Sequence, residues 1–135
     1  MAKPTQEDAK IILELAKMGM QPQLADAFTW LLAEPPPADY GRFKEKYPPG
    51  SREHRWADQI CGFFETMGAL WKHGLINEEL LFDWIWVGGP WERIKGYALG
   101  LRKEFDNPRL YELFEALAAA EARAEAKVPA GASQR

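Results

Sequence analysis

Residues 51–73, SREHRWADQICGFFETMGALWKH, predict the longest helix of the chain. Ser51 stands where a helix cap is expected, and Gly74 follows the last turn. At about 100° per residue, the large apolar side chains fall on one broad face, as in a helix that packs on a core. The members of this face are Trp56, Ile60, Phe63, Phe64, Met67, Leu70 and Trp71. We therefore expect this helix to be the spine of the fold.

Proline and glycine divide the rest of the sequence into further segments of helical period. No stretch alternates with period two for long enough to indicate a strand. The predicted fold is therefore all-α, an irregular or orthogonal bundle of about seven helices. The prolines at 35–37 predict a stiff extended segment after the second helix. The predicted helices besides the longest are 5–18, 22–34, 39–46, 77–87, 90–105 and a last one that begins at 107–108 and frays toward 127.

Length and composition indicate one globular domain. The chain has 135 residues, 47% of them hydrophobic, which suffices for a core without a disulfide or a metal. We expect a single helical domain over 1–127, with its core between 5 and 117, and a disordered tail over 128–135. The 17 basic and 20 acidic side chains are spread evenly and give a net charge of −3. This balance argues against nucleic acid as a partner, because such binding depends mostly on neutralising phosphates.

The compartment is predicted from the start of the chain and from its cysteine content. The first ten residues contain no apolar signal-peptide core, and no apolar run reaches the ~18 residues that a membrane span needs. Cys61 is the single cysteine, so an internal disulfide is impossible and a reducing compartment is suitable. We expect a cytoplasmic protein with no integral membrane segment.

Two groups of residues resemble a known family. The first runs from Phe63-Phe64-Glu65 through Gly68 and Gly74-Leu75-Ile76 to Asp83-Trp84. The second comprises Trp91, then Asn107-Pro108-Arg109-Leu110-Tyr111 and Phe114. Together, over about residues 51–117, they resemble an uncharacterised family of small bacterial all-helical domains of unknown function. Members often carry a membrane-spanning helix ahead of the domain, where this chain has its first helix and the proline segment. The resemblance implies no activity and no catalytic residues.

One stripe of the 51–73 helix carries residue types that bind metals. His54, Asp58, Cys61 and Glu65 recur at helical spacing on one side. The other histidine, His73, lies about 100° round the helix, and no second helix supplies further ligands. We therefore favour a solvated helix face with an edge cysteine over a metal site, and we expect no metal or cofactor.

Catalytic patterns are weak throughout the sequence. Ser51 and His54 are three residues apart, a spacing that favours a helix cap over a nucleophile with its base. The run 88–91, Gly-Gly-Pro-Trp, is similar to a phosphate-binding loop, but it follows a helix and lacks the lysine, which favours an interhelical turn. Acidic neighbours dilute a small basic cluster, so a solvated face is favoured there over an anion contact. This cluster contains Arg93, Lys95, Arg102 and Lys103. We expect no enzymatic activity.

An apolar surplus remains after the core faces are assigned. Phe82 and Trp86 form a second face of the 77–87 helix, and Leu99 points away from the core face of the next helix. Trp30 lies on the polar side of its helix, where it could also pack under the prolines. These residues are either fillers of a wide core or an interface, since aromatic residues are enriched at interface hot spots. Our leading hypothesis is a non-enzymatic protein–protein interaction module with a protein partner or a second copy on the Phe82/Trp86 face, a homodimer being favoured.

The alternative hypothesis is a small-ligand-binding or sensory domain. Its pocket would lie between the 51–73 helix and the 77–105 segment, with Trp71, Trp84, Trp91 and Tyr97 as aromatic walls.

Overall fold

The computed structural model describes residues 3–127, and within that range the chain forms seven α-helices and no strand. The predicted all-α fold is confirmed. None of the helices in this range has the length and apolar character needed to cross a membrane. The predicted disorder of 128–135 lies outside the described residues. The helices are α1 (Gln6–Gly19), α2 (Pro22–Ala33), α3 (Tyr40–Lys46), α4 (Arg52–Lys72), α5 (Glu78–Trp84), α6 (Gly88–Glu104) and α7 (Glu112–Ala126).

Helix α4 is the spine of the bundle, as its apolar face predicted, and it packs against α2, α6 and α7. Phe64 of α4 stacks on Phe114 of α7 with ring centroids 4.5 Å apart, and Trp91 of α6 meets the same Phe114 ring edge-on at 5.0 Å. At Gly68 a Cβ would lie 2.7 Å from the carbonyl oxygen of Leu113. Only a glycine therefore lets the start of α7 approach α4 this closely.

Short polar side chains begin four of the helices at or near the predicted positions. Asp39 accepts a hydrogen bond from the Arg42 amide, Ser51 from the His54 amide, and Asn77 from the Leu80 amide. Thr5 forms a capping box with Asp8. Asp8 also accepts the Asn77 amide at 2.9 Å, so the cap of α1 fastens this helix to the start of α5.

The junction between α5 and α6 differs from the prediction. Helix α5 ends at Trp84 instead of reaching 87, and α6 begins at Gly88, two residues before the expected Pro90. Pro90 is tolerated there because the first-turn amides of a helix have no intrahelical acceptor. The α6 start is fixed by an acceptor on α7, which the local pattern did not contain.

The segment after α6 also departs from the prediction. At helical period, Phe105 shares a side of α6 with the buried Ala98 and Leu101, yet it is 63% exposed because it follows the last residue of the helix. The last helix begins at Glu112 rather than at 107–108. Tyr111 before it has φ of +56°, a left-handed conformation that interrupts helical geometry.

Candidate functional site

Trp86 is an exposed tryptophan that the fold holds in place at the start of α6. Its ring lies against Gly89, where a side chain of any size would overlap it. The Arg93 guanidinium lies 5.2 Å from the ring centroid and donates a hydrogen bond to the Gly89 carbonyl at 3.0 Å. Even so, Trp86 is 50% exposed. The ring is therefore supported on one side by α6 and open to solvent on the other.

An open groove lies farther along α6, where this helix meets the start of α3. Its volume is about 580 Å³, and it is lined by Ala38, Asp39, Tyr40, Lys44, Gly96, Leu99, Gly100, Lys103 and Glu104. Leu99 is 38% exposed at this groove. Ten residues of helix separate Gly89 from Leu99, which corresponds to about 15 Å. We call the surface made by Trp86, Arg93, Leu99, Lys103 and the groove the α6 outer face.

A charge network occupies one wall of the groove. The Lys44 ammonium contacts a Glu104 carboxylate oxygen at 2.9 Å and lies 4.6 Å from the Tyr40 ring centroid. Burial, and then a hydrogen bond to Glu104, raise the pKa of Tyr40 to about 12, so this phenol stays protonated and donates. The bonds from Lys44 and Tyr40 lower the pKa of Glu104. Glu104 is thus a carboxylate whose acceptors are already engaged.

The predicted basic cluster divides into cations that have a carboxylate partner and cations that have none among the described residues. Arg102 donates to the Leu110 carbonyl at 2.7 Å and to Glu115 at 2.8 Å, so it fastens α6 to the start of α7. Lys95 pairs with Glu92 on its own helix. Arg93 and Lys103 make no ion pair with any residue of the described range. Within residues 3–127, the α6 outer face therefore carries two cations without a carboxylate partner.

The four residues expected at an interface do not form one surface. Phe82 is 5% exposed and belongs to the core, so its placement on an exposed face is wrong in this structure. Of the two explanations for these apolar residues, a filler of the core applies to Phe82. Trp30 is half-buried, with its ring 5.9 Å from Trp56 and its indole N–H bonded to the Tyr47 hydroxyl at 3.4 Å. Trp86 and Leu99 remain as the exposed pair.

The four residues expected at an aromatic pocket do not line the α6 groove. Trp91 and Tyr97 are buried, and Tyr97 packs 4.9 Å from Phe43. Trp84 and Trp71 are half-buried, and each contacts a different residue. Trp84 meets the edge of the Phe63 ring at 6.5 Å, and the Trp71 indole donates to Glu78 at 2.9 Å.

The four residues of the metal-type stripe each have a structural role. His54 makes a 2.9 Å hydrogen bond to the Tyr47 carbonyl through Nδ1, and Asp58 accepts the Tyr111 hydroxyl. Glu65 accepts the Phe114 amide at 2.9 Å. Cys61 is fully buried, which corrects its expected place at the edge of a solvated face. Among residues 3–127, no three His, Cys, Asp or Glu side chains come together as a metal site.

The electrostatics of this stripe follow from burial. Burial raises the pKa of the Cys61 thiol well above its usual value, and the neighbouring Asp58 and Glu65 carboxylates raise it further. Burial also raises the pKa of Glu65, against the lowering effect of its backbone hydrogen bonds. The thiol is therefore neutral and enclosed, the opposite of what a cysteine nucleophile requires.

The glycine-rich start of α6 already binds a carboxyl group supplied by the chain. Glu121 of α7 is 2% exposed, and its carboxylate accepts the Val87 amide at 3.1 Å and the Gly88 amide at 2.8 Å. These are the first amides of α6, where a phosphate-binding loop would place its ligand. The expectation of an interhelical turn at 88–91 is corrected, because these residues form the first turn of α6 and the break between the helices lies at 85–87. Sequence reasoning missed Glu121 because it lies in an Ala/Glu run that looked solvated.

Three glycines of α6 mark the α6 outer face, and the spacing of apolar residues does not reveal them. Gly89, Gly96 and Gly100 lie on one side of α6, and each faces a group in close contact. A Cβ at Gly96 would overlap the Ala38 backbone, and one at Gly100 would overlap the Tyr40 ring. Glycines at this spacing mark the side of a helix on which other groups rest directly.

Comparison with known proteins identifies a family and nothing further. The model of a family described as a domain of unknown function (DUF4760) matches residues 4–120. The match begins well before the 51–117 range of the sequence resemblance, so α1, α2 and α3 are part of the family domain. No curated protein and no solved structure matches the chain.

Proposed function

We propose that this chain, which belongs to the DUF4760 family, is a non-enzymatic interaction module that binds another protein through the α6 outer face. The observation that carries the proposal is Trp86, half-exposed yet fixed between Gly89 and Arg93. A tryptophan held in its bound orientation loses little conformational entropy on association, which is what an interface hot spot needs.

Leu99 and the groove supply a second contact on the same helix. A partner that covers Trp86 and reaches Leu99 spans about 15 Å along α6. A stable interface buries roughly 800 Å² on each partner, so a surface of this extent is a suitable centre for one. The groove gives a concave end into which a side chain of the partner can insert.

The charges favour an acidic partner over a second copy of the chain. Arg93 and Lys103 lie on the α6 outer face without carboxylate partners among the described residues, so carboxylates on the partner would complement them. A twofold pair centred on this face would bring two such sets of like charge together. A homodimer is therefore ranked below a different protein, and the experiment below separates the two.

The absence of enzymatic activity is part of the proposal. Ser51 caps α4 by accepting the His54 amide at 3.3 Å, and the His54 ring is bonded to the Tyr47 carbonyl. Each of the two side chains is thus hydrogen-bonded to a backbone group and not to the side chain of the other. A bacterial, cytoplasmic setting also belongs to the proposal, supported by the family resemblance and by a lone cysteine that suits a reducing compartment.

Site-specific photo-crosslinking tests the proposed surface. A photoreactive phenylalanine replaces Trp86 or Leu99 in cells, and Met20, an apolar residue 78% exposed at the end of α1, is the matched control position. We expect one acidic protein to crosslink from positions 86 and 99 but not from position 20. The purified partner should then bind Trp86→Asp at least 30-fold more weakly than wild type, in line with a hot spot of about 2 kcal/mol. Met20→Asp should bind like wild type.

Two outcomes would contradict the proposal. An unchanged dissociation constant for Trp86→Asp would remove the α6 outer face from the interface. Light scattering that shows a wild-type dimer, together with a monomeric Trp86→Asp that remains folded by circular dichroism, would assign the surface to a second copy.

A further inference from the structure

A second hollow, unrelated to the α6 outer face, lies between the first turns of α2 and α4. Its volume is about 220 Å³, and it is lined by Gln23, Asp26, Arg52, Arg55, Trp56 and Gln59. Sites for drug-sized ligands commonly measure about 300–1,000 Å³. This hollow lies below that range, so it suits a ligand smaller than a drug-sized molecule.

One enclosed atom of a residue that lines this hollow lacks the partner that its burial requires. The Gln59 side-chain oxygen is buried and has no hydrogen-bond donor among the described residues, while its amide nitrogen donates to Gln23 at 2.9 Å. A buried acceptor without a donor costs about 1–3 kcal/mol. Native proteins retain few such atoms, because most buried oxygens accept a hydrogen bond from the chain, from water or from a ligand. A ligand that donates to Gln59 would therefore remove this cost.

The hollow also carries both signs of charge. The Arg52 guanidinium lies 4.7 Å from the Trp56 ring centroid, and its contact with Glu53 is long, at 3.5 Å. Arg55 uses one guanidinium nitrogen to bond the Gly50 carbonyl at 3.0 Å, which leaves its other N–H groups for a ligand. Asp26 makes no ion pair with any residue in 3–127. Donors for an anion and acceptors for a cation therefore line the same small space.

We propose that this hollow binds a free α-amino acid. Its carboxylate pairs with Arg52 and Arg55, because guanidinium groups match carboxylates in geometry as well as charge. Its ammonium pairs with the Asp26 carboxylate, and the enclosed Gln59 oxygen gains its donor once the amide turns toward the hollow. A simple anion would leave Asp26 without a counter-ion and the Gln59 oxygen without a donor, and a simple amine would leave the two arginines without a carboxylate.

The first test compares fragments of the ligand on the wild-type chain. Glycine, alanine and glutamine are titrated against acetate and methylammonium at constant ionic strength. Binding is followed through the indole N–H resonance of Trp56, assigned with Trp56→Phe. We expect at least one amino acid to shift this resonance at a concentration at least tenfold lower than either fragment, and to raise the melting temperature. No shift with any of the three at 20 mM, or a shift by acetate at the same concentration, would overturn the proposal.

Matched variants locate the site. Arg52→Gln and Asp26→Asn each remove one charge while leaving the described hydrogen bonds intact, and each should weaken amino-acid binding at least tenfold. Arg42→Gln, an exposed arginine on α3, is the control and should bind like wild type. Equal losses in Arg42→Gln and Arg52→Gln would show nonspecific charge binding and overturn the proposal. Since α6 contributes nothing to this hollow, Trp86→Asp should bind the amino acid normally whether or not the interaction surface is correct.

Discussion

At the start of α6, the large side chain on the inner side is buried, whereas the one on the outer side is half-exposed. On the inner side, the Glu121 carboxylate is buried and saturates the Val87 and Gly88 amides. On the outer side, the Trp86 ring is held between Gly89 and Arg93, yet it is 50% exposed. A buried acceptor that satisfies two amides is costly to remove, whereas an apolar ring fixed at the surface contributes little to stability. At this turn, the fixed position of Glu121 satisfies buried amides, whereas the fixed position of Trp86 presents an apolar ring to solvent.

The inner side should show the largest effect on stability. Glu121→Ala leaves two amides at the start of α6 without their acceptor, and we expect the free energy of unfolding to fall by about 3 kcal/mol. Urea denaturation followed by circular dichroism measures this change. Glu121→Gln keeps an acceptor oxygen and should lose less. Glu125→Ala, at an exposed position of the same helix, should lose less than about 1 kcal/mol. An equal decrease in the free energy of unfolding for Glu121→Ala and Glu125→Ala would contradict the stabilising role of the buried Glu121 carboxyl group.

A substitution on the outer side should move the Trp86 ring while changing the free energy of unfolding only slightly. Gly89→Ala places a methyl group where the Trp86 ring lies, so the ring must move away from α6. Alanine also favours the helix by up to about 1 kcal/mol, so we expect the free energy of unfolding to change by less than that amount. The measurements are the Trp86 indole resonance, which should shift, and partner binding, which should weaken as in Trp86→Asp. At Gly62 a Cβ meets nothing within 4 Å, so Gly62→Ala is the control and should leave both unchanged.

The smallest expected effects are opposite pH dependences inside and outside. The pKa of Glu104, at the groove, is lowered by Lys44 and Tyr40, so its stabilising contribution is present above its ordinary value of 4.5 and is lost as the pH falls through the lowered value. The pKa of Glu65, on α4, is raised by burial. Its contribution is therefore greatest below 4.5 and is lost as the pH rises through the raised value.

Urea denaturation between pH 3.5 and 7 checks both signs. Glu104→Gln should be less stable than wild type at neutral pH, and this difference should disappear in acid. Glu65→Gln should gain stability relative to wild type as the pH rises. The same slope in both variants would mean that the two carboxylates do not differ in the way the structure indicates.

Parts of this fold could be predicted from local patterns, and the failures share one cause. The face of α4 that carries Phe63 and Phe64 was identified because helical period alone decides which residues share a side. Phe105 has the correct period but lies past the end of the core, a property of how far neighbouring helices extend. The role of Glu121 could not be predicted, because nothing within its own helix indicates the amides that it binds at the start of α6.

The candidate site was only partly predictable for the same reason. Trp86 and Leu99 were identified as surplus to the core faces, and both are exposed. Phe82 was grouped with Trp86 by its spacing on one predicted helix, but α5 ends at Trp84 and the two residues separate into core and surface. The hollow at Gln59 joins α2 to α4, residues far apart in sequence, so no local pattern indicated it.

The sequence by itself determined the all-helical class, most of the breaks between helices and the apolar face of α4, because these follow from backbone preferences and from the period of a helix. The tertiary structure alone decided which apolar residues are covered, which carboxylate begins α6, and which charges remain without partners. Burial and pairing depend on the groups that arrive from other helices, and those distances are set only when the bundle packs.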